Sequence, residues 1–592
     1  MGFAVGLIIV AILFFIVLEL SHNTVLGWVL ALVVYSGFFL LHKNFFVDKA
    51  WWIRLLSWIG LFVLCFVIYK ISFPPYKQVP AVTVKNPKTT EVLHIAQGDL
   101  TGVYNADESV EVYTGIPFAK PPVGDLRFKE PVPAGPWEGI LTCDHFAPMS
   151  MQAENHPMWN SLVSGIFYNN WNLFNLHDNY REAMSEDSLY LNVWKPAGDV
   201  KDCPVIVYIH GGSLQTGQPS YDQYRGEAYA KQGIVFVSVA YRLNIFGYYA
   251  DEALAEESEH HTTGNYGTLD QIEALKWVNK NIADFGGDAS NITLAGESAG
   301  ASSVNALCVS PLAKGLFRRA VAESSGIVAR TPYHTFRSYD DALAMKKDAW
   351  QTLGVSSAKE MRSLDAKDLV KAAGQYNSMT VDGYVIKEQP YLTYEKGENN
   401  EEALLNGFNA HEADVFTILG TKVTPDNYMD VLRGSFGDEA EAIAKLYPVN
   451  GKDAKTSYNQ VMSGAWFAYS HHVWSRYMAS QNKPVYEYYF TKENKGLSTN
   501  HAGELPYFYG CLDTQPQNYT KSDYELSETI VSYITNFAKT GNPNGSGLPE
   551  WPTYSEDPNR VLKLGETIEM MKDPYLDLYQ CLDKAQGYDG PE

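Results

Sequence analysis

Asn291-Ile-Thr-Leu-Ala-Gly-Glu-Ser-Ala-Gly300 is the stretch on which the interpretation of the whole chain depends. Its apolar run predicts a strand, and the Gly-Glu-Ser-Ala-Gly that follows predicts a very tight turn into a helix. Small residues on both sides of Ser298 suit such a turn, because its backbone is strained and crowds its neighbours. The turn would raise the serine hydroxyl above a sheet and direct the first helical N–H groups towards it.

A Gly-x-Ser-x-Gly pattern also arises by chance in a chain with 46 glycines. Its meaning therefore depends on an oxyanion loop upstream and on an acid and a histidine that follow in that order.

Composition excludes several classes of protein. Hydrophobic residues make up 46% and aromatic residues 13% of the 592 residues, which indicates a well-filled globular interior rather than disorder. The formal net charge of −22 argues against a nucleic-acid partner, since phosphate binding needs a basic face. The six cysteines are far apart and none forms a C-x-x-C pair, so the sequence predicts six unpaired thiols, with neither a disulfide framework nor a zinc site.

The first seventy residues differ from the rest of the chain. They hold three apolar runs, each close to the roughly twenty residues that span a bilayer as a helix. No basic residue precedes the first run and two more runs follow, unlike a cleaved signal peptide. A buried soluble hairpin is the alternative, but runs this long with so few polar residues favour transmembrane helices. The predicted spans are residues 2–20, 24–41 and 52–70.

Basic residues in the connections predict an orientation. The first connection has no Lys or Arg, whereas the second contains Lys43 and Lys49. Because positively charged connections stay cytoplasmic, we expect a multi-pass protein of the cell membrane with its soluble part outside. Lys70 and Lys77 would then lie on the outer side, against this trend. The expected division is a membrane region over 1–72, a stiff proline-containing linker over 73–84 and a soluble domain over 85–592.

Strand and helix patterns alternate in the soluble part. Pro204 to Ile209 and Val235 to Val239 are continuous apolar runs typical of buried strands, and Leu269 to Phe285 has a helical period. This alternation predicts an α/β protein with a mainly parallel sheet covered by helices. The first strand ends in His210-Gly-Gly-Ser213, whose glycines would let backbone N–H groups approach a ligand, although by themselves they are better explained by a plain tight turn.

A series of short motifs runs through the soluble part from about Val92 to Leu582. In chain order they are Gly115-Ile-Pro-Phe-Ala, Pro121-Pro-Val-Gly-Asp-Leu-Arg-Phe128, Glu186-Asp-Ser-Leu-Tyr-Leu-Asn192, His210-Gly-Gly-Ser213, Tyr241-Arg-Leu-Asn244, Asn265-Tyr-Gly-Thr-Leu-Asp270, Phe285-Gly-Gly-Asp288, Gly296-Glu-Ser-Ala-Gly300, His501-Ala-Gly-Glu-Leu-Pro-Tyr507, Asn536-Phe-Ala-Lys-Thr-Gly-Asn-Pro-Asn544 and Trp551-Pro552. In these motifs and their order the chain resembles the type B carboxylesterases, a family of α/β-hydrolases that includes the cholinesterases and the non-catalytic neuroligins. The resemblance implies a central, mostly parallel sheet flanked by helices, and hydrolysis of small-molecule esters without a metal or cofactor.

The resemblance also implies a catalytic triad. Ser298 matches the nucleophile, and His501 matches the general base that takes the serine proton. Glu412 matches the acid that orients the imidazole, whereas nearby Asp414 stands at the wrong place in the pattern. The remaining histidines near these motifs are expected to be structural or surface residues: His411, His471 and His472.

The family's oxyanion donors correspond to the backbone N–H groups of Gly212, Ser213 and Ala299. Each would stabilise the developing alkoxide by about 3–4 kcal/mol. Ser325 resembles a family serine that lies near the acid of the triad.

The chain departs from the family at a frequent disulfide. The two cysteine positions are Ser150 and Ser188 here, so the enclosed loop has no covalent closure. This loop contains an aromatic segment from Met158 to Tyr180, in which we find no clean helical or strand period and which we expect to be mobile. Self-packing and the lining of a substrate entrance remain alternative explanations of its aromatic residues.

Two other functions stay open beside a soluble-ester hydrolase. A membrane-anchored binding or adhesion module could use the same fold without catalysis, as the neuroligin-like members do. The presence of Ser298, Glu412 and His501 favours the enzyme. A lipase acting on membrane lipids is the third alternative, because of the membrane region and the aromatic segment.

Overall fold

The structure is a computed structural model, and it describes residues 2–154, 156–169, 171, 173–174, 179–330, 332–418, 420, 422–451 and 453–587. Contacts between residues divide the chain into two compact units. The first unit comprises Met1–Gln78 and Glu154–Ala183, and the second comprises Val79–Ala153 and Met184–Glu592. The boundaries predicted at residues 72 and 84 stay a prediction of where the membrane region and the soluble domain end.

The first unit is helical. Its helices are α1 (Gly2–Leu20), α2 (Val25–Leu41, continued by a π-helical turn over His42–Phe46), α3 (Trp51–Ile71) and α4 (Pro157–Tyr168). By length and composition, the first three could cross a membrane. Most of their apolar side chains face outwards, which suits helices surrounded by lipid rather than by water.

Helix α4 forms although its sequence shows no clean helical period. Pro157 occupies the first turn, where its missing N–H costs nothing, and the His156 ring accepts a hydrogen bond from the Met158 N–H at 3.2 Å. Asn169 ends the helix in the left-handed conformation. These interactions at the two ends of the segment therefore favour a helix that its pattern of apolar residues does not indicate. The expected mobility of residues 158–180 concerns in part residues 170, 172 and 175–178, which lie outside the described residues.

The second unit is built on an eleven-stranded sheet. In chain order its strands are β1 (Val103–Tyr104), β2 (Val110–Pro117), β3 (Tyr190–Pro196), β4 (Cys203–Ile209), β5 (Val235–Val239), β6 (Gly287–Glu297), β7 (Arg319–Glu323), β8 (Ala403–Asn409), β9 (Val485–Phe490), β10 (Arg560–Leu564) and β11 (Ile568–Lys572). Their spatial order is β11-β10-β9-β8-β7-β6-β4-β5-β3-β2-β1. Pairing is parallel from β10 through to β5 and antiparallel at both edges. The predicted mainly parallel sheet is confirmed.

Helices accompany this sheet, as the alternating pattern predicted. The described helices of eight residues or more in the second unit are α5 (Tyr266–Asn281), α6 (Ala299–Val309), α7 (Lys346–Leu353), α8 (Tyr428–Phe436), α9 (Ala454–Ser463), α10 (Tyr469–Ser480), α11 (Lys521–Thr540) and α12 (Leu576–Ala585). Shorter helices cover Glu227–Lys231, Asn244–Tyr248, Glu252–Glu257, Tyr339–Ala344, Ala358–Ser363, Ala366–Leu369, Pro390–Glu395, Asp414–Thr417, Ala440–Leu446 and Leu505–Phe508. Strands β4 and β5 are almost wholly buried, in agreement with their continuous apolar sequences.

Ser150 and Ser188 are in contact, at the positions where the resemblance puts a disulfide. Their hydroxyl oxygens lie 2.9 Å apart, and Ser150 Oγ also donates to the Tyr241 carbonyl at 2.8 Å. Both side chains are buried. Short parallel strands beside them, Met149–Ser150 and Met184–Ser185, hold the same two segments together. All six cysteines lie among the described residues, and each is a buried free thiol, as predicted.

We expect the double substitution Ser150→Cys/Ser188→Cys to form a disulfide under oxidising conditions. It would raise the free energy of unfolding by about 2–4 kcal/mol, since it closes a long loop in the unfolded chain. Thiol titration after denaturation should find two more thiols in the reduced than in the oxidised variant, and the oxidised form should have the higher thermal midpoint.

The single substitution Ser150→Cys is the control, with one extra thiol under both conditions. If both introduced thiols of the double variant stayed titratable after oxidation, the close contact between the two serines would be wrong.

Candidate active site

Ser298 is the single residue between β6 and α6. Its backbone angles, φ 57° and ψ −126°, lie in a region that is costly for a residue with a side chain. The Ser298 N–H donates to the Glu323 carbonyl of the neighbouring strand β7 at 2.9 Å, which fixes the strained turn to the sheet. The side chain is partly exposed. The strand, tight turn and helix predicted for this stretch are therefore confirmed.

The two glycines of the motif are required by close backbone approach. A Cβ atom on Gly300 would lie 2.1 Å from the Ile209 carbonyl oxygen, and one on Gly296 would lie 2.6 Å from the Gly300 carbonyl oxygen. Helix α6 therefore begins in contact with the end of β4, and no larger residue fits at either position.

The loop after β4 lies against Ser298. A Cβ atom on Gly211 would be 3.1 Å from the Ser298 Cβ, so the Gly211 backbone borders the serine. Gly212 and Ser213 have φ angles of 106° and 57°. Among the described residues, no group accepts a hydrogen bond from the N–H of Gly212 or Ser213. Ala299 opens α6, where helical geometry leaves its N–H without a partner within the helix. The role of these three N–H groups as an oxyanion hole stays a prediction.

Glu412 and His501 are brought together from 89 residues apart. Glu412 Oε2 lies 2.6 Å from His501 Nδ1, and its Oε1 accepts the Asn409 N–H at 2.7 Å. The carboxylate is completely buried. Asp414, the competing acid, lies instead 3.8 Å from the half-exposed ring of His411. The contact expected between an acid and a histidine is therefore made by Glu412.

The other nitrogen of His501 faces the residue before the serine. His501 Nε2 lies 3.2 Å from Glu297 Oε1, and no hydrogen bond joins it to Ser298 Oγ within the described part of the chain. Glu297 directly precedes Ser298 in the chain, so the imidazole faces the end of β6 from which the serine turn begins. Sequence reasoning missed this role of Glu297, although it occupies the variable position of the Gly-x-Ser-x-Gly motif.

A second buried carboxylate lies behind the histidine. Glu504 accepts hydrogen bonds from Ser324 Oγ at 2.8 Å and from the Asn409 side-chain amide. The Ser325 hydroxyl lies 2.7 Å from that of Ser302, and its expected proximity to the acid stays a prediction. Ser324, whose φ is 57°, is the serine that bonds to Glu504. The Glu504 carboxylate stands in the matched His-Ala-Gly-Glu motif, which could have revealed it.

Burial and these carboxylates determine how the histidine titrates. Burial lowers the pKa of His501, but the negative charges of Glu297 and Glu412 outweigh it and raise the pKa to about 9. Burial raises the pKa of Glu297 to about 8 and that of Glu504 to about 7. Because the imidazolium and the Glu297 carboxylate stabilise each other, protonation of Glu297 lowers the proton affinity of His501. A neutral imidazole is the form that a general base needs, and that role of His501 stays a prediction.

Three further histidines are packed in the second unit: His471 and His472, expected to be structural or surface residues, and His210 of the loop after β4. His471 is fully buried, and burial lowers its pKa to about 3. His472 stacks on the Tyr579 ring with centroids 4.4 Å apart. His210 stacks on Tyr241, and burial lowers its pKa to about 4. None of the three carries a charge near neutral pH.

Comparisons with known proteins show which family the sequence and the fold are similar to. The profile of the carboxylesterase family matches residues 89–580. Carboxylesterase 1C of Mus musculus is 29% identical over 88% of this chain and 94% of its own length, and a medium-chain fatty acyl-CoA hydrolase precursor of Anas platyrhynchos is 31% identical over 79% and 86%. The solved structure of a PNB esterase matches with a TM-score of 0.69 and 30% identity, over 83% of this chain and 99% of its own. A carboxylesterase structure from Geobacillus stearothermophilus gives a TM-score of 0.71 and 31% identity, over 83% and 100%.

We expect Glu297→Gln to shift the acidic limb of the pH profile of ester hydrolysis to lower pH, by about 1 unit or more. A neighbouring carboxylate stabilises the imidazolium and raises the pKa of His501, so its removal lowers that pKa and keeps the imidazole neutral in more acidic solution. The measurement is kcat/KM of a nitrophenyl ester against pH.

Asp414→Asn is the matched control, because it also removes a nearby carboxylate but one that faces His411. Its acidic limb should coincide with that of the unmodified protein. An unchanged limb in Glu297→Gln would contradict the charge coupling between Glu297 and His501.

Proposed function

This chain is a member of the carboxylesterase family, with an α/β-hydrolase fold and the activity of a carboxylic ester hydrolase, and from that premise we propose that it acts through an acyl-enzyme formed on Ser298. The observation that supports this mechanism most strongly is the 2.6 Å contact between Glu412 and His501, with the imidazole beside a strained serine. A histidine with a purely structural role has no reason to bond a buried carboxylate through Nδ1 while its Nε2 faces the turn that carries Ser298.

In the proposed reaction Ser298 Oγ attacks the ester carbonyl carbon, and His501 Nε2 takes the hydroxyl proton. Nε2 faces Glu297 in the free protein, so a small rotation towards Ser298 precedes the attack; such hydrogen bonds often tighten only when substrate binds. Glu412 stabilises the imidazolium that forms. The N–H groups of Gly212, Ser213 and Ala299 would stabilise the alkoxide by about 3–4 kcal/mol each.

Collapse of the tetrahedral intermediate breaks the ester C–O bond. The leaving alcohol takes the proton from His501, and the acyl group stays on Ser298. A water molecule then attacks the acyl carbon with His501 again as base, which releases the acid and restores the serine. Each proton that His501 takes is returned, so the cycle needs no metal or cofactor.

The substrate class follows from the surroundings of the imidazole. The rings of Phe416 and Phe467 lie 4.9 and 5.0 Å from the His501 ring, centroid to centroid. Phe416 is about half exposed, so it offers an apolar surface next to the reacting groups. A small-molecule ester with an apolar acyl or alcohol group fits this wall.

We propose that the chain is held in the cell membrane by α1, α2 and α3, with the soluble domain of residues 85–592 outside the cytoplasm and residues 73–84 as its linker. Support comes from the three membrane-length apolar helices and from Lys43 and Lys49 in the α2–α3 connection.

Ser298→Ala is expected to lower kcat for a short-chain nitrophenyl ester by about 10⁴- to 10⁶-fold, because the nucleophile is lost. Ser302→Ala is the matched control, since Ser302 lies one helical turn further on and contacts Ser325. It should retain kcat within a few-fold.

Substantial activity in Ser298→Ala would rule out the assigned nucleophile. An intact, folded parent protein without activity on any ester of a panel of rising acyl length would favour the non-catalytic binding module.

Protease added to intact cells is expected to degrade the soluble domain, because the proposed orientation exposes it. Detection uses an antibody against the C-terminal part, and a cytoplasmic protein serves as the control for cell integrity. A soluble domain that is cut only after lysis would reverse the orientation.

A further inference from the structure

The segment Glu154–Ala183 comes from the family-matched part of the sequence but belongs to the helical first unit. It leaves the second unit just after Ser150 and returns just before Ser188, the two serines that are in contact. This segment therefore connects the hydrolase fold to the end of a helical bundle that is apolar enough for a membrane.

One face of α4 is bonded to the connection between α1 and α2. Ser161 Oγ donates to the Leu20 carbonyl at 2.8 Å and lies 2.8 Å from His22 Nε2. His156, the cap of α4, lies 2.6 Å from the Tyr69 hydroxyl near the end of α3. These contacts place α4 at the end of the bundle where α1 ends, α2 begins and α3 ends.

The C-terminal part of the segment is held at the same end of the helical bundle. Residues 181–182 pair as a short parallel strand with Tyr76–Lys77, just beyond α3. Arg181 lies over the rings of Phe73 and Tyr76, 4.6 and 3.9 Å from their centroids, and pairs with Glu154 at 2.7 Å. Arg181 and Glu154 therefore neutralise each other at this end of the bundle.

The opposite face of α4 carries apolar side chains that are exposed in the described part of the chain. Trp159 and Ile166 are seven residues apart, hence on one side of the helix, and they are 60% and 64% exposed. Phe174, further along the segment, is 76% exposed. Trp171 packs on Gly165, where a Cβ atom would lie 2.4 Å from the indole, and its own outer face is exposed. Exposed apolar patches of this kind on soluble proteins mark a binding surface.

We propose that the apolar surface formed by Trp159, Ile166, Trp171 and Phe174 lies in the boundary between the headgroups and acyl chains of the bilayer that α1–α3 cross. The hydrogen bonds to Leu20 and Tyr69 put the segment at the depth where the apolar helices end, and tryptophan side chains favour that depth. A helix with one apolar face lies in this plane and buries that face by a few ångströms. The inference rests on the proposed membrane insertion of the three helices.

The chain passes between the two units at Gln78, Glu154 and Ala183, so the proposed linker of residues 73–84 is one of three connections between them. The proposed contact with the bilayer explains the exposed aromatic residues of this segment, which self-packing does not.

The test uses single cysteines labelled with a nitrobenzoxadiazole dye in the full chain, reconstituted in phosphatidylcholine vesicles. The six native cysteines are buried, so the unmodified protein sets a low labelling background. Trp159→Cys and Ile166→Cys report on the proposed interface. Phe62→Cys in the middle of α3 is the control for membrane insertion, and Lys371→Cys, exposed in the second unit, is the control for water. Ester hydrolysis by each labelled protein verifies that it is folded.

The vesicles contain a lipid that carries a nitroxide quencher either near the headgroup or deep in the acyl chain. The nitroxide near the headgroup should quench the dye at positions 159 and 166 more strongly than the deep one. Position 62 should show the reverse order, and position 371 should lose emission with neither. Quenching at position 62 but not at positions 159 and 166 would overturn the inference, while the proposed membrane insertion of the helices would still hold. Blue-shifted but unquenched emission at positions 159 and 166 would instead assign this face to a protein partner. Absence of quenching at 62 would overturn the membrane insertion itself.

Discussion

The convergence of parallel strands at their carboxyl ends is the constraint on which the proposed chemistry depends. Ser298 follows β6 directly, Glu412 follows β8 by three residues, and His501 comes from the connection after β9. Because β6 to β9 run parallel, their carboxyl ends lie along one edge of the sheet. Parallel register therefore brings an acid and a histidine within 2.6 Å of each other, beside a serine more than two hundred residues earlier than the histidine.

The same edge of the sheet also buries several carboxylates next to one histidine. Glu297, Glu412 and Glu504 are almost or completely buried around one imidazole. Unpaired, such carboxylates would be costly, but His501 offers a positive charge and Asn409 donates hydrogen bonds to both Glu412 and Glu504. Burial also raises the pKa of Glu297 and of Glu504, which lowers the negative charge that the cluster carries. The basicity of the proposed general base is thus set by a group of carboxylates and not by Glu412 alone.

The loop that a disulfide often closes in this family is held here by weaker contacts at both ends. Ser150 and Ser188 share a hydrogen bond, and a short pair of strands flanks them. The middle of the loop is fixed within the first unit through α4 and the strand pairing near Arg181. A covalent bridge is dispensable for such a loop, since several hydrogen bonds distributed along it restrict the same segment.

The sequence by itself determined the fold class, the three apolar helices, the buried strands β4 and β5, and the turn around Ser298, because local periodicity, turn residues and ordered motifs encode them. It also singled out Glu412 over Asp414, through position in a motif. Only the tertiary structure decided that Nε2 of His501 faces Glu297, that Ser324 and not Ser325 reaches Glu504, and that residues 154–183 belong with the helical unit. These three features depend on the direction of side chains and on packing between distant segments, and no periodic pattern in the sequence encodes either of them.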